Sequence, residues 1–157
     1  MKLNNQWLVL VGFLVLTFGA AALGGATTSG SVRDWYPTIA KPSWTPPGWV
    51  FGPVWTGLYA MMAVAAWLVW RKVGWGGALI WFGVQLVLNA TWSPVFFGMR
   101  QIGWACVNIV LLWGAIAGTM VVFWRVNAVA GMLFMPYLAW VSFATALNFA
   151  IWRLNSR

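Results

Sequence analysis

The side chains of this chain that could do chemistry are indoles and amides rather than acids, bases or metal ligands. The sequence contains 15 tryptophans, one acidic residue (Asp34), one cysteine (Cys106) and no histidine. A zinc site or a pair of catalytic carboxylates cannot be assembled from such a set. An indole instead offers a wide apolar face with a single N–H donor and takes no proton at neutral pH. The composition therefore predicts that the protein binds a flat, apolar molecule and requires neither a metal nor a cofactor.

One stretch of sequence places two amides and two aromatic rings on a single helix face. These side chains follow one another at intervals of four, three and four residues, at Gln85, Asn89, Trp92 and Phe96. Residues three or four apart are neighbours on a helix surface. Amides are costly in lipid, so this face should line the interior of a bundle or a cavity. The alternative is that the amides only join helices through hydrogen bonds, and the sequence leaves both interpretations open.

Three further stretches carry aromatic or amide side chains at helical spacing: Phe51, Trp55 and Tyr59; Trp104, Asn108 and Leu111; and Tyr137, Trp140, Ala144, Leu147 and Asn148. The small side chain of Ala144 leaves room for a ligand or for a close helix. Four such faces in one bundle predict a shared interior pocket with apolar walls and a few orienting polar groups. Other tryptophans lie near span ends, where interfacial belts form in contact with membrane lipid: Trp7, Trp67, Trp70, Trp75, Trp124 and Trp152.

The elements that must position these faces are membrane-spanning helices. Hydrophobic residues make up 62% of the chain and charged residues 6%, whereas soluble domains carry roughly 25% charged residues. At ~20 residues per span, a chain of this length holds about five helices, which we place at residues 7–25, 47–70, 78–97, 103–124 and 129–152. We therefore predict an all-α integral membrane protein, a single domain over residues 1–157 formed by one bundle of five transmembrane helices. The short turns after spans two, three and four make sequential helices antiparallel neighbours.

A long polar segment, residues 26–46, separates the first two spans and is rich in rings and prolines. Trp35 and Tyr36 are followed by a run from Lys41 to Pro47 that contains Trp44. Proline restricts its own φ and biases the preceding residue towards extended geometry, so we expect a long structured loop rather than a floppy connector. Such a loop could close the mouth of the bundle. The alternative is a loop that lies among the lipid headgroups.

The basic residues and the small residues indicate which surroundings the chain contacts: lipid headgroups, nucleic acid or other helices. The net charge of +8 comes from nine basic residues without a long run, which is typical of membrane-end anchors and not of a nucleic-acid interface. Lys2 and the small residues after the first span also suit a cleaved signal peptide, and that alternative stays open. Gly114 and Gly118 form a GxxxG pair that could serve internal packing or a homodimer.

Several long segments resemble one known family of membrane proteins. They are Trp35-Tyr36, KPSWTPPGWVFGPVW from Lys41 to Trp55, QLVLNATWSPVFFG from Gln85 to Gly98, GWA from Gly103 to Ala105, and PYLAWVSFATALNF from Pro136 to Phe149. On these segments the chain resembles the translocator protein family, also called the tryptophan-rich sensory protein or peripheral benzodiazepine receptor family. The resemblance covers nearly everything from about Asp34 to Arg153.

The resemblance implies a five-helix bundle, often a homodimer, that binds porphyrins such as protoporphyrin IX and haem, sterols such as cholesterol, and benzodiazepine-type ligands. The family's pocket lies between the helices, beneath the loop that joins helices one and two. Carried over by motif, the ligand-binding residues here would be Trp35, Trp44, Pro47, Phe51, Trp55, Tyr59, Asn89, Trp92, Trp104, Val107, Leu111, Trp140, Ala144 and Leu147. Lys41, near the mouth, could meet the propionates of a tetrapyrrole or, alternatively, a phospholipid phosphate.

The resemblance leaves open whether the porphyrin is chemically altered. Two tryptophans that match Trp55 and Trp140 are linked, in some bacterial members, to light- and oxygen-dependent porphyrin breakdown. We therefore expect a receptor or translocator with a transport or sensory-regulatory role, with a porphyrin-degrading enzyme as the alternative and a regulatory scaffold as a third class.

The family's sterol motif survives only in part. Leu147 and Arg153 are present, but Phe149 replaces the tyrosine between them, which removes a phenolic donor and argues against a sterol role. The same phenylalanine is the reason to expect a bacterial member, located in a bacterial membrane.

Overall fold

The structure, a computed structural model, describes residues 3–156 and the side chains of residues 6–156. It contains five α-helices: α1 (Leu3–Asp34), α2 (Phe51–Val73), α3 (Gly77–Ser93), α4 (Ile102–Val126) and α5 (Ala128–Asn155). A 3₁₀ turn at Gly48–Val50 precedes α2, and a π turn at Pro94–Gly98 extends α3. With these extensions all five helices are long and apolar enough to cross a membrane, and residues 3–156 contain no strand. The predicted all-α membrane bundle is confirmed.

The first helix is longer than the sequence predicts. Residues 26–34, which we expected in the loop, continue α1 as far as Asp34. The polar side chains are accommodated because two threonine hydroxyls donate to a carbonyl one turn earlier in the same helix. Thr27 Oγ1 lies 2.9 Å and Thr28 Oγ1 2.6 Å from the carbonyl oxygen of Gly24. The connecting loop therefore begins only at Trp35.

The helices pack with α4 along α5, α3 along α4, and α1 against both α2 and α3. Where α3 and α4 meet, the ring of Trp81 lies directly on Gly118. A Cβ atom at Gly118 would lie 2.6 Å from that indole, whereas one at Gly114 would meet nothing within 4 Å. Gly118 of the GxxxG pair therefore serves packing inside the bundle, and Gly114 lies exposed on its surface.

The tightest core lies in the half of the bundle farther from the loop. Five residues of α2 have no exposed surface: Met62, Ala63, Ala65, Ala66 and Val69. Aromatic rings complete this core, with Phe123 stacked on Phe82 and set edge-on against Phe134. In the half next to the loop the helices diverge and leave a cavity.

Candidate functional site

A cavity of about 460 Å³ lies between the helices beneath the loop. This volume falls within the range of roughly 300–1,000 Å³ typical of small-molecule sites. Its walls are mostly apolar, and none of its lining side chains carries a charge. The lining residues are Ala21, Gly24, Gly25, Thr28, Val32, Tyr36, Pro46, Gly48, Phe51, Gly52, Trp55, Tyr59, Asn89, Trp92, Ser93, Phe96, Phe97, Ile109, Leu112, Trp140, Val141, Ala144, Leu147, Asn148 and Ile151.

Aromatic rings form opposite walls of this cavity. The spacing of four residues along α2 places Phe51, Trp55 and Tyr59 on one face, as expected. The ring of Trp55 stacks on that of Tyr59 at 5.5 Å between centroids, and Phe51 sets its edge against Trp140 of α5 at 5.7 Å. On α3, Trp92 stacks on Phe96 at 5.1 Å. Because the rings brace one another, they present fixed flat surfaces to the interior.

A chain of hydrogen bonds joins α2, α3 and α5 at the floor of the cavity. The Tyr59 hydroxyl donates to Asn89 Oδ1 at 2.6 Å, and Asn89 Nδ2 donates to the Tyr137 hydroxyl oxygen at 2.8 Å. The Tyr137 hydroxyl in turn donates to Gln85 Oε1 at 3.1 Å. Gln85 and Tyr137 are fully buried and lie outside the cavity lining, whereas Tyr59 and Asn89 line it. The two interpretations of this amide face therefore both hold: Gln85 joins helices, and Asn89 joins helices and lines the cavity.

A second polar cluster ties α3, α4 and α5 together on another wall. Trp92 Nε1 donates to Asn148 Oδ1 at 3.0 Å. Asn148 Nδ2 donates to Cys106 Sγ at 2.9 Å and to the carbonyl oxygen of Ile102 at 3.3 Å. The indole N–H of Trp92 and both ends of this amide are thus occupied by protein partners.

The indole N–H of Trp140 is different, because it is buried without a hydrogen-bond partner in the part of the chain that the structure describes. Most buried donors in proteins are paired, and leaving one unpaired costs about 1–3 kcal/mol. Trp140 lines the cavity. Its Nε1 is therefore an unpaired donor enclosed by protein beside the cavity, with almost no surface of its own exposed to it, a feature that nothing in the sequence signals.

The structure brings eight of the fourteen expected ligand-binding residues to the cavity wall: Phe51, Trp55, Tyr59, Asn89, Trp92, Trp140, Ala144 and Leu147. Three others, from the loop, lie just outside it. Trp35 packs edge-on against Phe96 at 5.8 Å, and Trp44 packs against Phe143 at 5.8 Å. Pro47 is exposed, and its neighbours Pro46 and Gly48 take part in the lining instead.

The expected interior position of the last three residues, all on α4, is wrong. Trp104, Val107 and Leu111 are 68%, 50% and 57% exposed and face away from the bundle. The inward face of α4 instead presents Ile109 and Leu112 to the cavity. An almost wholly apolar helix carries too little asymmetry for its sequence to show which face turns inward.

The first helix supplies cavity residues that the sequence analysis missed. Ala21, Gly24, Gly25, Thr28 and Val32 of α1 all line the cavity. Their spacing of three or four residues was the available signal. The prediction of a loop for residues 26–46 hides this signal for Thr28 and Val32, whereas Ala21, Gly24 and Gly25 lie within the predicted first span and are too small to mark a face.

The loop is held in place by bonds to itself and to the end of α5. The Lys41 ammonium donates to the carbonyl oxygens of Tyr36 at 2.6 Å and Ile39 at 2.9 Å, and it lies 4.8 Å from the centroid of the Tyr36 ring. Burial raises the pKa of the Tyr36 phenol, so this ring stays neutral beneath the cation. Lys41 is therefore engaged within the loop, and its expected contact with a ligand propionate or a phosphate stays a prediction.

A reciprocal pair of hydrogen bonds fastens the middle of the loop. The backbone N–H of Ala40 donates to Asn155 Oδ1 at 3.0 Å, and Asn155 Nδ2 donates to the carbonyl oxygen of Ala40 at 2.9 Å. The side-chain amide of Asn155 thus pairs with both backbone polar groups of Ala40, as the backbone of a neighbouring β-strand would. The loop is thereby tied to the C-terminal end of α5 above the cavity.

The comparisons with known proteins agree with the resemblance. The sequence profile of the TspO/MBR family matches residues 13–153. This chain belongs to the TspO/MBR family. Over 154 residues it is 42% identical to the human translocator protein, covering 95% of this chain and 91% of that protein. It is also 40% identical to the tryptophan-rich sensory protein of Cereibacter sphaeroides, covering 95% of that protein, and 43% identical to the tryptophan-rich protein TspO of Chlorobaculum tepidum, covering 99%.

Membership of this family and the five apolar helices establish an integral membrane protein. The names of the relatives describe translocation and sensing rather than catalysis. The partial sterol motif of the family does not form one surface here. Leu147 lines the cavity, whereas Phe149 and Arg153 are exposed on the outside of α5.

Proposed function

We propose that this TspO/MBR protein is a membrane receptor or translocator that binds porphyrins, such as protoporphyrin IX and haem, in the cavity beneath the loop. Related planar lipophiles belong to the same ligand class. In this proposal binding serves a transport or sensory-regulatory role. The observation that carries it is an aromatic-walled cavity of about 460 Å³ between the helices, with no charged side chain in its lining.

The chemistry of the walls favours a flat, largely uncharged molecule. Stacked pairs such as Trp55–Tyr59 and Trp92–Phe96 offer broad apolar faces to a planar ring. Trp140 adds an indole to the same walls, with Phe51 set edge-on against it. Since no lining side chain is charged, a buried carboxylate would be left uncompensated. The carboxylates of a porphyrin would therefore stay at the loop side, where Arg100 lies 6.0 Å from the ring centroid of Trp35.

The direct test is a titration of the purified protein with protoporphyrin IX in detergent, followed by the absorption change of the porphyrin. Trp140→Phe keeps an aromatic ring but a smaller one, so binding should persist and weaken by about 2–10-fold, the equivalent of an aromatic contact of about 0.5–1.5 kcal/mol. Trp104→Phe, on the exposed side of α4, is the matched control and should bind like wild type. Absence of saturable binding to the wild-type protein would refute the proposal.

A second candidate function is light- and oxygen-dependent breakdown of the bound porphyrin. It is favoured by the position of Trp55 and Trp140, because both oxidisable indoles line the same cavity. Under illumination in air, the wild-type protein should convert protoporphyrin IX to a new product with turnover, and Trp140→Phe should bind porphyrin but lose this conversion. Equal degradation rates for the two proteins would contradict a role for this indole.

A further inference from the structure

The wall of the cavity is not equally closed on all sides. Every lining residue supplied by α3, α4 and α5 is buried or half-buried. The exposed lining residues of the described chain all lie on α1, in the 3₁₀ turn before α2 or at the start of α2: Gly25, Val32, Gly48 and Gly52. The cavity is therefore most open along the seam between these two helices.

The hydrogen bonds and ring contacts between α1 and α2 lie away from the loop. At the far end Trp67 Nε1 donates to the carbonyl oxygen of Gln6 at 2.9 Å, and the ring of Trp67 stacks on Trp7 at 5.6 Å. Midway, Phe18 meets Tyr59 at 6.1 Å. Between there and the loop, no hydrogen bond or ring contact joins α1 to α2 among side chains 6–156.

Near the loop each of the two helices is held by a different neighbour. On α1, the Ser31 hydroxyl donates to the carbonyl oxygen of Phe97 at 2.6 Å, beside the π turn that extends α3. On α2, Phe51 packs against Trp140, and Trp55 packs against Tyr137 at 6.1 Å, so both contacts are with α5. Because α1 is bound to the turn that extends α3 and α2 to α5, no hydrogen bond or ring contact among side chains 6–156 closes the seam between α1 and α2 at this level.

The seam is open on both sides and extends from the loop towards the apolar part of α1. A Cβ atom built on Gly25 or on Gly52 would meet nothing within 4 Å. Gly25 is nine residues before the end of α1 at Asp34, which places it about 14 Å along the helix from the loop. Its neighbour Leu23 is 66% exposed on the outer surface. In a bilayer, the part of the seam at Gly25 would face acyl chains rather than water.

We propose that the seam between residues 25–32 of α1 and residues 48–52 is a lateral portal, through which a planar apolar ligand passes between the bilayer and the cavity. The ligand class rests on the proposed function. The two other routes are closed: the loop is fastened by Lys41 and by the Asn155–Ala40 pair, and the opposite end is filled by the α2 core. A lipophilic ligand is concentrated in the bilayer, so a lateral opening meets it where it is most abundant.

The portal is tested by substitutions that narrow it and leave the packing of the helices unchanged. Gly25→Leu and Gly52→Leu place an isobutyl group in open space at the seam, and Gly19→Leu and Gly57→Leu are matched controls. Both control glycines are exposed on the same two helices, have open space around them and lie outside the cavity lining. Each protein is reconstituted in phosphatidylcholine nanodiscs, and the association and dissociation of protoporphyrin IX are followed by stopped flow.

We expect both rate constants to fall together, by about tenfold or more, in the seam variants only, because a narrowed passage raises the barrier in both directions. The dissociation constant should change much less than either rate. Equal rates in seam and control variants would overturn the portal. So would unchanged rates in the seam variants together with faster exchange in Asn155→Ala, since that result would place the passage at the loop.

A second measurement keeps the portal testable if protoporphyrin IX does not bind. A cysteine is introduced at Ala144, on the cavity wall, after Cys106→Ser removes the native thiol, and its labelling by a bilayer-soluble maleimide is timed. Slower labelling with Gly52→Leu than with Gly57→Leu would support the portal even if the proposed porphyrin ligand were refuted. Equal labelling rates would overturn the portal whatever the porphyrin result.

Discussion

Replacing Tyr137 by phenylalanine should destabilise the bundle more than the same change at Tyr59. Both substitutions remove one hydroxyl and keep the ring, so packing is preserved. The Tyr137 hydroxyl is fully buried, accepts from Asn89 and donates to Gln85, so its loss leaves two buried polar atoms without partners. The Tyr59 hydroxyl makes one bond, to Asn89, and lies at the cavity wall.

The expected loss of stability follows from the number of buried polar atoms that lose their hydrogen-bond partner. An orphaned buried polar group costs about 1–3 kcal/mol, and interhelical bonds in membranes average nearer about 0.6 kcal/mol. We therefore expect Tyr137→Phe to cost about 1–3 kcal/mol and Tyr59→Phe about half as much. For a chain of this size each kcal/mol corresponds to roughly 2–4 °C in Tm.

Thermal unfolding in detergent, measured for both variants and the wild-type protein, checks this prediction. Ligand binding provides a second readout, since Tyr59 lines the cavity and Tyr137 does not. Tyr59→Phe should change porphyrin affinity, whereas Tyr137→Phe should act mainly on Tm. If Tyr137→Phe left Tm unchanged while Tyr59→Phe lowered it, the hydrogen-bond chain described above would not be holding these helices together.

Three further outcomes are expected. Gly118→Leu should lower stability by about 1–3 kcal/mol through overpacking against Trp81, whereas Gly114→Leu should be neutral in thermal unfolding; equal effects would contradict the packing described. Asn155→Ala removes both bonds to Ala40, so amide hydrogen exchange in residues 35–50 should accelerate with little change in Tm, and unchanged exchange would show that the loop is held by other contacts. The homodimer that the family resemblance implies should be measured by light scattering in detergent as a protein mass of twice 17.4 kDa, and a mass of one chain would refute it.

The sequence was most informative where the physical signal is local. An apolar stretch long enough to span a bilayer is recognisable without knowledge of its neighbours, so the four later spans lie within a few residues of α2 to α5. The family segments then indicated most of the aromatic wall, including Phe51, Trp55 and Trp140. The end of α1 was missed because Thr27 and Thr28 look like loop residues until their hydroxyls are seen bonded to the helix backbone.

The orientation of α4 about its own axis could not be predicted from the sequence, for a different reason. Trp104 and Leu111 lie on one face of α4 however the helix is rotated, and their spacing predicts this correctly. Which face turns inward depends on how α4 packs against α3 and α5. Because nearly all of α4 is apolar, lipid and protein interior are equally acceptable surroundings for either face.

The sequence by itself determined the class of molecule: five apolar helices, indoles in place of acid–base groups, and amides that must find partners away from lipid. The tertiary structure alone decided which of those groups found partners. Trp92 and Trp140 are the same residue type, and both line the cavity, yet Asn148 pairs with the N–H of Trp92 while that of Trp140 stays unpaired. The difference arises because a hydrogen bond between helices requires two side chains that are distant in the sequence to approach within about 3 Å, and only the packing of the whole bundle sets that distance.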